Sequence, residues 1–387
     1  MRIAFIANNY PTASRPGPGT FVRQFVRAMA RQGNDCAVVG PVSVFDGRFG
    51  PLPPVCAEER VDGGPPVGLH RPRYVSFSSR RLGGFHTGRW THAGFVRSAL
   101  AAVERLSPRP DLVYGHFLYP AGHAAVLAGR CLGVPSVAGV GEGEFWTVEP
   151  FGDARAARDL AGASAFLAVS TCIRETLEAR LNVPARKIEV FPNGVDTARF
   201  RPGDRLALRR KRGLPAEAFL VGFAGPFIAQ KGYPELVRAV AGLPDVRLVL
   251  LGRGTHPAGD PQTAFCGTVP HDDMADYLGA CDVFVLPTRI EGSCNSVIEA
   301  MACGLPVITA SGRHMDDIVD DGTAIRVNPA DAGAIRAAIL ALRDDPDRRR
   351  RMAAAGVAKA KTLDLNERAR RVTAWLESVA AAGGAKS

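Results

Sequence analysis

Along the first half of the chain, short apolar runs alternate with segments whose apolar residues recur every three or four positions. "RIAFIAN" reads as a buried strand. "GTFVRQFVRAMARQG" follows it, with Phe21, Val22, Phe25, Val26 and Met29 at helical spacing and Gly33 as a natural stop. The alternation continues through "DCAVVGP", "GFVRSALAAVERL", "DLVYGH", "AGHAAVLAGRCLG", "PSVAGVG", "ASAFLAVS" and "TCIRETLEARLNV". Strand–helix order with continuously apolar strands predicts a parallel sheet covered on both faces.

The second half repeats the pattern. "AFLVGFAG" precedes the helical "YPELVRAVAGL"; "VRLVLLG", "HDDMADYLGAC", "DVFVLPT", "LPVITA" and "TAIRVNP" follow. The last stretch is helical throughout. Between the halves, "KIEVFPNGVDTARFRPGD" is punctuated by Pro192, Asn193, Gly194, Pro202 and Gly203, as a linker is. The expectation is an α/β chain of two Rossmann-like, doubly wound parallel-sheet domains facing a cleft. Their spans are 1–196 and 197–365, with 366–387 a helix returning toward the first domain. In open parallel sheets ligands bind at the carboxyl ends of strands.

Composition narrows the classes. At 387 residues, two domains are the default, and 46% hydrophobic with 22% charged residues is ordinary for packed cores. No run of about 20 apolar residues is present, and the start has no secretory-signal pattern. The eight cysteines are scattered without C-x-x-C spacing, which suits small buried hydrophobes in a reducing cytosol. The net charge of +10 favours anionic partners. Residues 71–90 interleave Arg73, Arg80, Arg81 and Arg89 with Tyr74, Phe77, Phe85 and Trp90. That mix reads either as a peripheral contact with an anionic membrane or as an ordinary surface loop. Nucleic-acid modules are absent.

The chemistry centres on "EGSCNSVIEAMACGLPVI". "DVFVLPT" is a buried strand, so Arg289–Ser293 is a loop at its carboxyl end. A helix begins near Asn295 or Ser296, and a helix N-terminus binds anions, phosphates above all. Gly292 and the small Ser293 allow close approach to the backbone. A carboxylate beside phosphates repels them, so Glu291 and Glu299 suit neutral hydroxyls at the two ends of a ligand with phosphates in its middle. A nucleotide sugar is such a ligand: Glu299 for the ribose, Glu291 for the sugar.

The same stretch resembles the E-x(7)-E signature of the retaining, family 4 glycosyltransferases with the GT-B fold. The likeness extends to "PGPGTFVRQFVRAMARQGNDCAVVGP", "HFLYPAGHAAVLAGRCLGVPSV", "VFPNGVDTARFRP" and "FAGPFIAQKGYPELVRAV". It implies that backbone N–H groups of Cys294, Asn295 and Ser296 cradle the diphosphate and that Lys231 neutralises it. It implies binding positions at Gly225 and Asn193, and a loop at Gly19 and Thr20 that closes on the phosphates. It implies no metal and no cofactor beyond the nucleotide-sugar donor, with a saccharide, lipid-linked or small-molecule acceptor. Two positions depart from the family: Pro226 stands where an arginine is usual, and Gly141 where a histidine is usual. Glu142 or His116 is the substitute expected for the second, with Glu144 and Trp146 as acceptor-binding alternatives. Asp272-Asp273 and Asp316-Asp317 read as helix caps and dipole partners rather than metal pairs. The alternatives to a transferase are a nucleotide-sugar epimerase of the same fold and a non-catalytic partner subunit.

Overall fold

The apolar runs become strands because each is buried on both faces, as the unbroken burial of Phe219–Ala224 illustrates. The computed structural model describes residues 1–77, 81–82 and 85–384. Arg80, and the side chains of Arg81 and Phe85, lie outside what it describes. The chain divides into two units, Met1–Phe191 with Asn366–Ser387, and Pro192–Leu365.

The main sheet of the first unit comprises β1 (Arg2–Ala7), β2 (Asp35–Val39), β3 (Cys56–Glu59), β4 (Val67–His70), β5 (Leu112–His116), β6 (Ser136–Val140), β7 (Ala165–Ala168) and β8 (Ile188–Val190). Their order is β8-β7-β6-β5-β1-β2-β4-β3. All neighbours run parallel except β3 against β4. The chain builds outward from β1 on one side and from β5 on the other, so strand order reverses between them.

The C-terminal helix Leu365–Gly384 belongs to this unit for nearly all its length. Ala369, Val372 and Leu376 are buried at helical spacing. Arg368 is buried too; its guanidinium stacks 4.7 Å from the Phe25 ring centre and donates to the Phe191 carbonyl at 3.3 Å. Asn34 donates to Thr373 Oγ1 at 2.9 Å. The return of the last helix to the first domain, expected from the sequence, is what the structure contains.

The second unit holds six parallel strands: β9 (Phe219–Ala224), β10 (Val246–Leu251), β11 (Thr263–Gly267), β12 (Val283–Leu286), β13 (Val307–Ala310) and β14 (Ala324–Val327). Their order is β11-β10-β9-β12-β13-β14. Here the reversal falls between β9 and β12, which pair through Val221–Val283 and Gly222–Phe284. The segment 192–196 sits in this unit because Val195 pairs with Asp364 and Asn193 bonds to Ser293.

The base of β12 is fixed by a buried ion pair. Arg209, on the helix Arg205–Arg212, is 4% exposed and donates to Asp282 Oδ2 at 2.6 Å. It also reaches the carbonyls of Ala216, Ala218 and Ala280. The same Asp282 oxygen accepts the Leu220 N–H at 2.7 Å, so one carboxylate joins β9, β12 and the helix. Asp282→Ala leaves Arg209 buried and unpaired, and is expected to cost about 3–5 kcal/mol in a urea unfolding curve. An unchanged midpoint would contradict this account of the sheet.

Candidate functional site

The reversal between β9 and β12 brings two strand exits together. After β9 the chain turns through Gly225 to a short 3-10 turn, Ala229–Lys231, and into the helix Tyr233–Val240. After β12 it runs from Pro287 to Glu291 and into the helix Asn295–Ala302. The two loops are stitched: the Arg289 N–H donates to the Gln230 carbonyl at 2.9 Å. Gly232, at φ 70°, has no room for a side chain, since a Cβ there would lie 2.4 Å from the Pro287 carbonyl oxygen.

This stitching sets Lys231 Nζ against Glu291 Oε1 in a short, largely buried ion pair. Glu291 Oε1 also accepts from Thr288 Oγ1 at 3.2 Å. The lysine stem passes Gly225, where an added Cβ would be 4.0 Å from Lys231 Cγ. Gly225 takes φ 148°, a value side chains rarely adopt.

The helix Asn295–Ala302 has Cys294 as its N-cap, with no side chain capping it. Its first N–H groups therefore keep their partial positive charge for a ligand. The Cys294 thiol is buried and its pKa is pushed up to about 12, so it is inert packing. Asn193 braces the turn from the linker: its N–H donates to Ser293 Oγ at 3.1 Å and its amide to Asn295 Oδ1 at 2.8 Å. Gly292 is buried, while Ser293, Asn295 and Ser296 are partly open.

Glu299 lies one turn into that helix and meets His271 Nε2 at 3.0 Å. Arg199 Nη1 stands 3.3 Å from the other ring nitrogen, His271 Nδ1. A guanidinium can only donate, so Nδ1 accepts from Arg199 and the N–H on Nε2 donates to Glu299. His271, Thr288 and Arg199 were not singled out in the sequence. The signal available for His271 was its place just after β11, at a strand's carboxyl end.

In the first unit the corresponding reversal lies between β1 and β5. Gly19 (φ 80°) begins the helix Thr20–Arg31; a Cβ there would lie 1.2 Å from the Asn9 carbonyl oxygen. The Thr20 hydroxyl is used within the loop, 2.7 Å from the Gly17 carbonyl. His116 ends β5 among the rings of Phe21 and Phe117, at 5.4 and 4.7 Å. Burial, and then Arg368, hold its pKa at about 3, so it stays neutral; its Nδ1 is buried without a hydrogen bond among the described residues. Phe117 has φ 76° and ψ 157°, a strained backbone for a side-chain-bearing residue.

The Phe117 ring explains Gly141. A Cβ on residue 141 would meet Phe117 Cε1 at 3.3 Å, so a side chain there would crowd the aromatic ring. Glu142 is 4% exposed. One oxygen accepts from the Leu118 N–H (3.0 Å) and Thr147 Oγ1 (3.2 Å), the other from the Gly141 N–H (3.1 Å). It ties two loops together, and burial pushes its pKa up to about 7. Glu144 and Trp146 stand exposed on the following loop.

Asp272 and Asp273 lie in the first turn of the 3-10 helix His271–Asp273, the dipole position expected, but Asp273, the N-cap residue of the helix Met274–Gly279, makes no side-chain cap bond; the carboxylates engage arginines. Asp272 pairs with Arg199, Asp273 with Arg212 and Asp316 with Arg326. Among the described residues no cluster of three metal-type ligands occurs.

Two family models match the chain: "Glycosyltransferase Family 4" over residues 16–199 and "Glycosyl transferases group 1" over residues 218–345. A putative teichuronic acid biosynthesis glycosyltransferase of Bacillus subtilis is 29% identical, over 88% of each chain. A GDP-mannose-dependent monoacylated alpha-(1-6)-phosphatidylinositol monomannoside mannosyltransferase of Corynebacterium glutamicum is 31% identical over 43% of this chain and 50% of its own. The solved sucrose-phosphate synthase of Thermosynechococcus elongatus superposes with a TM-score of 0.77 at 21% identity, over 99% of this chain and all of its own, a likeness of fold.

Folding raises the Glu142 carboxyl from its ordinary 4.5 to about 7. A group raised in this way stabilises the fold fully below pH 4.5 and loses that contribution as the pH climbs through 7. Relative to Glu142→Gln, the protein is expected to lose up to about 3 kcal/mol between pH 4.5 and 8. Urea unfolding of both chains across that range checks it; a pH-independent difference would contradict it.

Proposed function

The chain belongs to the family 4, group 1 glycosyltransferases, retaining enzymes of the GT-B fold, and from that premise we propose that it moves a hexose from a nucleoside diphosphate sugar to a hydroxyl of a saccharide or lipid-linked acceptor. The observation that carries the reading is the convergence of Lys231, Glu291 and an uncapped helix N-terminus at one strand-order reversal. The relative named for teichuronic acid biosynthesis supports a role in cell-surface polysaccharide formation. The relative acting on an acylated phosphatidylinositol mannoside supports a lipid-linked acceptor. The charge of +10 and the exposed Val75, Phe77 and Trp90 support work at the cytoplasmic face of an anionic membrane. Among the described residues no helix is long and apolar enough to cross one.

In this reading the diphosphate sits at the N–H groups of Cys294, Asn295 and Ser296, with Gly225, Gly292 and Ser293 giving it room. Lys231 exchanges Glu291 for the diphosphate when donor binds. Glu299, oriented by His271, accepts from the ribose hydroxyls, and the released Glu291 faces the sugar. The bond from the sugar C1 to the β-phosphate oxygen breaks while the acceptor oxygen bonds to C1 on the same face. The acceptor proton passes to the departing diphosphate, so no protein nucleophile is required. Negative charge grows on that diphosphate in the transition state, where fixed donors and Lys231 act most strongly.

His116 and Glu142 serve as positioning groups in this scheme. The first is neutral among aromatic rings, and the second has its oxygens engaged by three donors. The exposed Glu144 and Trp146 suit acceptor contact.

Glu291→Gln and Lys231→Ala are each expected to lower sugar transfer at least about 100-fold, the scale of one positioned electrostatic group. Product analysis with and without acceptor measures this and also separates transfer from epimerisation of the donor. Near-normal turnover in both variants would remove the site assignment.

A further inference from the structure

A second feature of the first unit has no part in the donor site. Beside the carboxyl ends of β1, β2 and β4 lies a cavity of about 80 Å³, lined among others by Asn9, Arg15, Asp46 and Arg71. Arg71 follows directly on β4 and is 9% exposed. Its backbone N–H donates to the Val55 carbonyl at 2.6 Å, which fixes where the side chain starts. Its guanidinium has neither a hydrogen bond nor an ion pair among the described residues. Glu59 attracts it only through space and Arg73 repels it; a buried cation with no hydrogen-bonded counter-ion is costly, and folds keep one where something pairs with it.

The acids around it are already engaged. Glu59 Oε1 is held by Arg23 at 2.6 Å and Arg27 at 2.9 Å, and Glu59 Oε2 by the Tyr10 hydroxyl at 2.9 Å. Asp46, on the cavity wall, pairs with Arg15 at 3.8 Å. Asn9 points a buried amide oxygen that lacks any hydrogen bond among the described residues. The two ends of a side-chain amide exchange by a simple flip, so the same group can present its N–H2 to a ligand. One unpaired guanidinium and one idle amide thus share a cavity the size of an oxyanion head.

We propose that this cavity binds an oxyanion carried by the acceptor, the carboxylate of a sugar acid or the phosphoryl group of a phosphorylated sugar, with Arg71 as its counter-ion and Asn9 as its second donor. The proposal rests on the transferase reading for the word acceptor, but the anion site itself stands on the first unit alone. A planar guanidinium meets a carboxylate or phosphoryl group through two parallel hydrogen bonds, which fixes orientation as well as charge. An acceptor held by its anion would present one hydroxyl in a set direction, and neutral sugars of the same shape would be rejected.

The test is saturation-transfer NMR on the full chain with methyl β-D-glucuronide, D-glucose 6-phosphate and the neutral methyl β-D-glucoside. Binding of one charged probe, at least about tenfold tighter than the neutral one, is expected; which probe binds tells carboxylate from phosphoryl. Inorganic phosphate should compete with that probe. Arg71→Gln should weaken it at least about tenfold, and Asn9→Ala should weaken it in the same direction. A urea unfolding curve of each variant reports that it has folded; if Arg71→Gln has not, Asn9→Ala decides. Equal binding of charged and neutral probes, or charged binding that neither variant weakens, overturns the proposal. If nucleotide binds and the anions do not, the cavity assignment fails while the transferase reading stands. If the anions bind through Arg71 and no nucleotide binds, the reverse holds.

Discussion

The site depends on one constraint: β9 and β12 are neighbours across a reversal of strand order. A parallel sheet has crossover helices on its faces, so adjacent strand exits are usually roofed by their own connections. At a reversal the connections diverge and leave a gap at the carboxyl ends. Gly232 against the Pro287 carbonyl, and Arg289 bonded to Gln230, hold the two loops that border the gap. Lys231 and Glu291 then meet because their loops have nowhere else to go. Asp282 and Arg209 do the corresponding work at the opposite end, locking the base of β12 to β9.

The charge pair is also a resting state. Lys231 and Glu291 are both largely buried, and each satisfies the other while the site is empty of anions. In the proposed function, a diphosphate would offer the lysine more negative charge than one carboxylate does and would free the glutamate for hydroxyls. Partial burial strengthens each of these exchanges relative to water. The first unit treats its buried charges differently. Glu142 is saturated by two backbone N–H groups and a hydroxyl, and Arg368 is stacked on Phe25 and bonded to a carbonyl. Arg71 has neither arrangement: Glu59 attracts it through space, and its guanidinium makes no hydrogen bond among the described residues.

The strands and helices were legible because the strands are apolar on both faces and the helices carry a single apolar stripe. The loop from Glu291 to Ser296 was legible because a polar, small-residue turn between a strand and a helix has few other uses. Pairings across long stretches were not. Nothing local marks Asp282 as the partner of Arg209, or His271 as the donor to Glu299. Glu142 was one substitute expected for the family histidine; its three donors come from Gly141, Leu118 and Thr147, and only folding brings Leu118 to it. Gly141 looked like a lost residue, yet a side chain there would crowd the Phe117 ring. Asp272 and Asp273 had the position of caps but find arginines instead.

The most direct test of the account is calorimetric titration of the full chain with UDP-, GDP-, ADP- and dTDP-sugars, repeated with Glu299→Ala. One nucleotide class is expected to bind, and the substitution to weaken it at least about tenfold, as losing hydrogen bonds from a charged acceptor does. Binding to none of the four, or binding that ignores Glu299, would contradict the placement of the donor at the β9–β12 reversal.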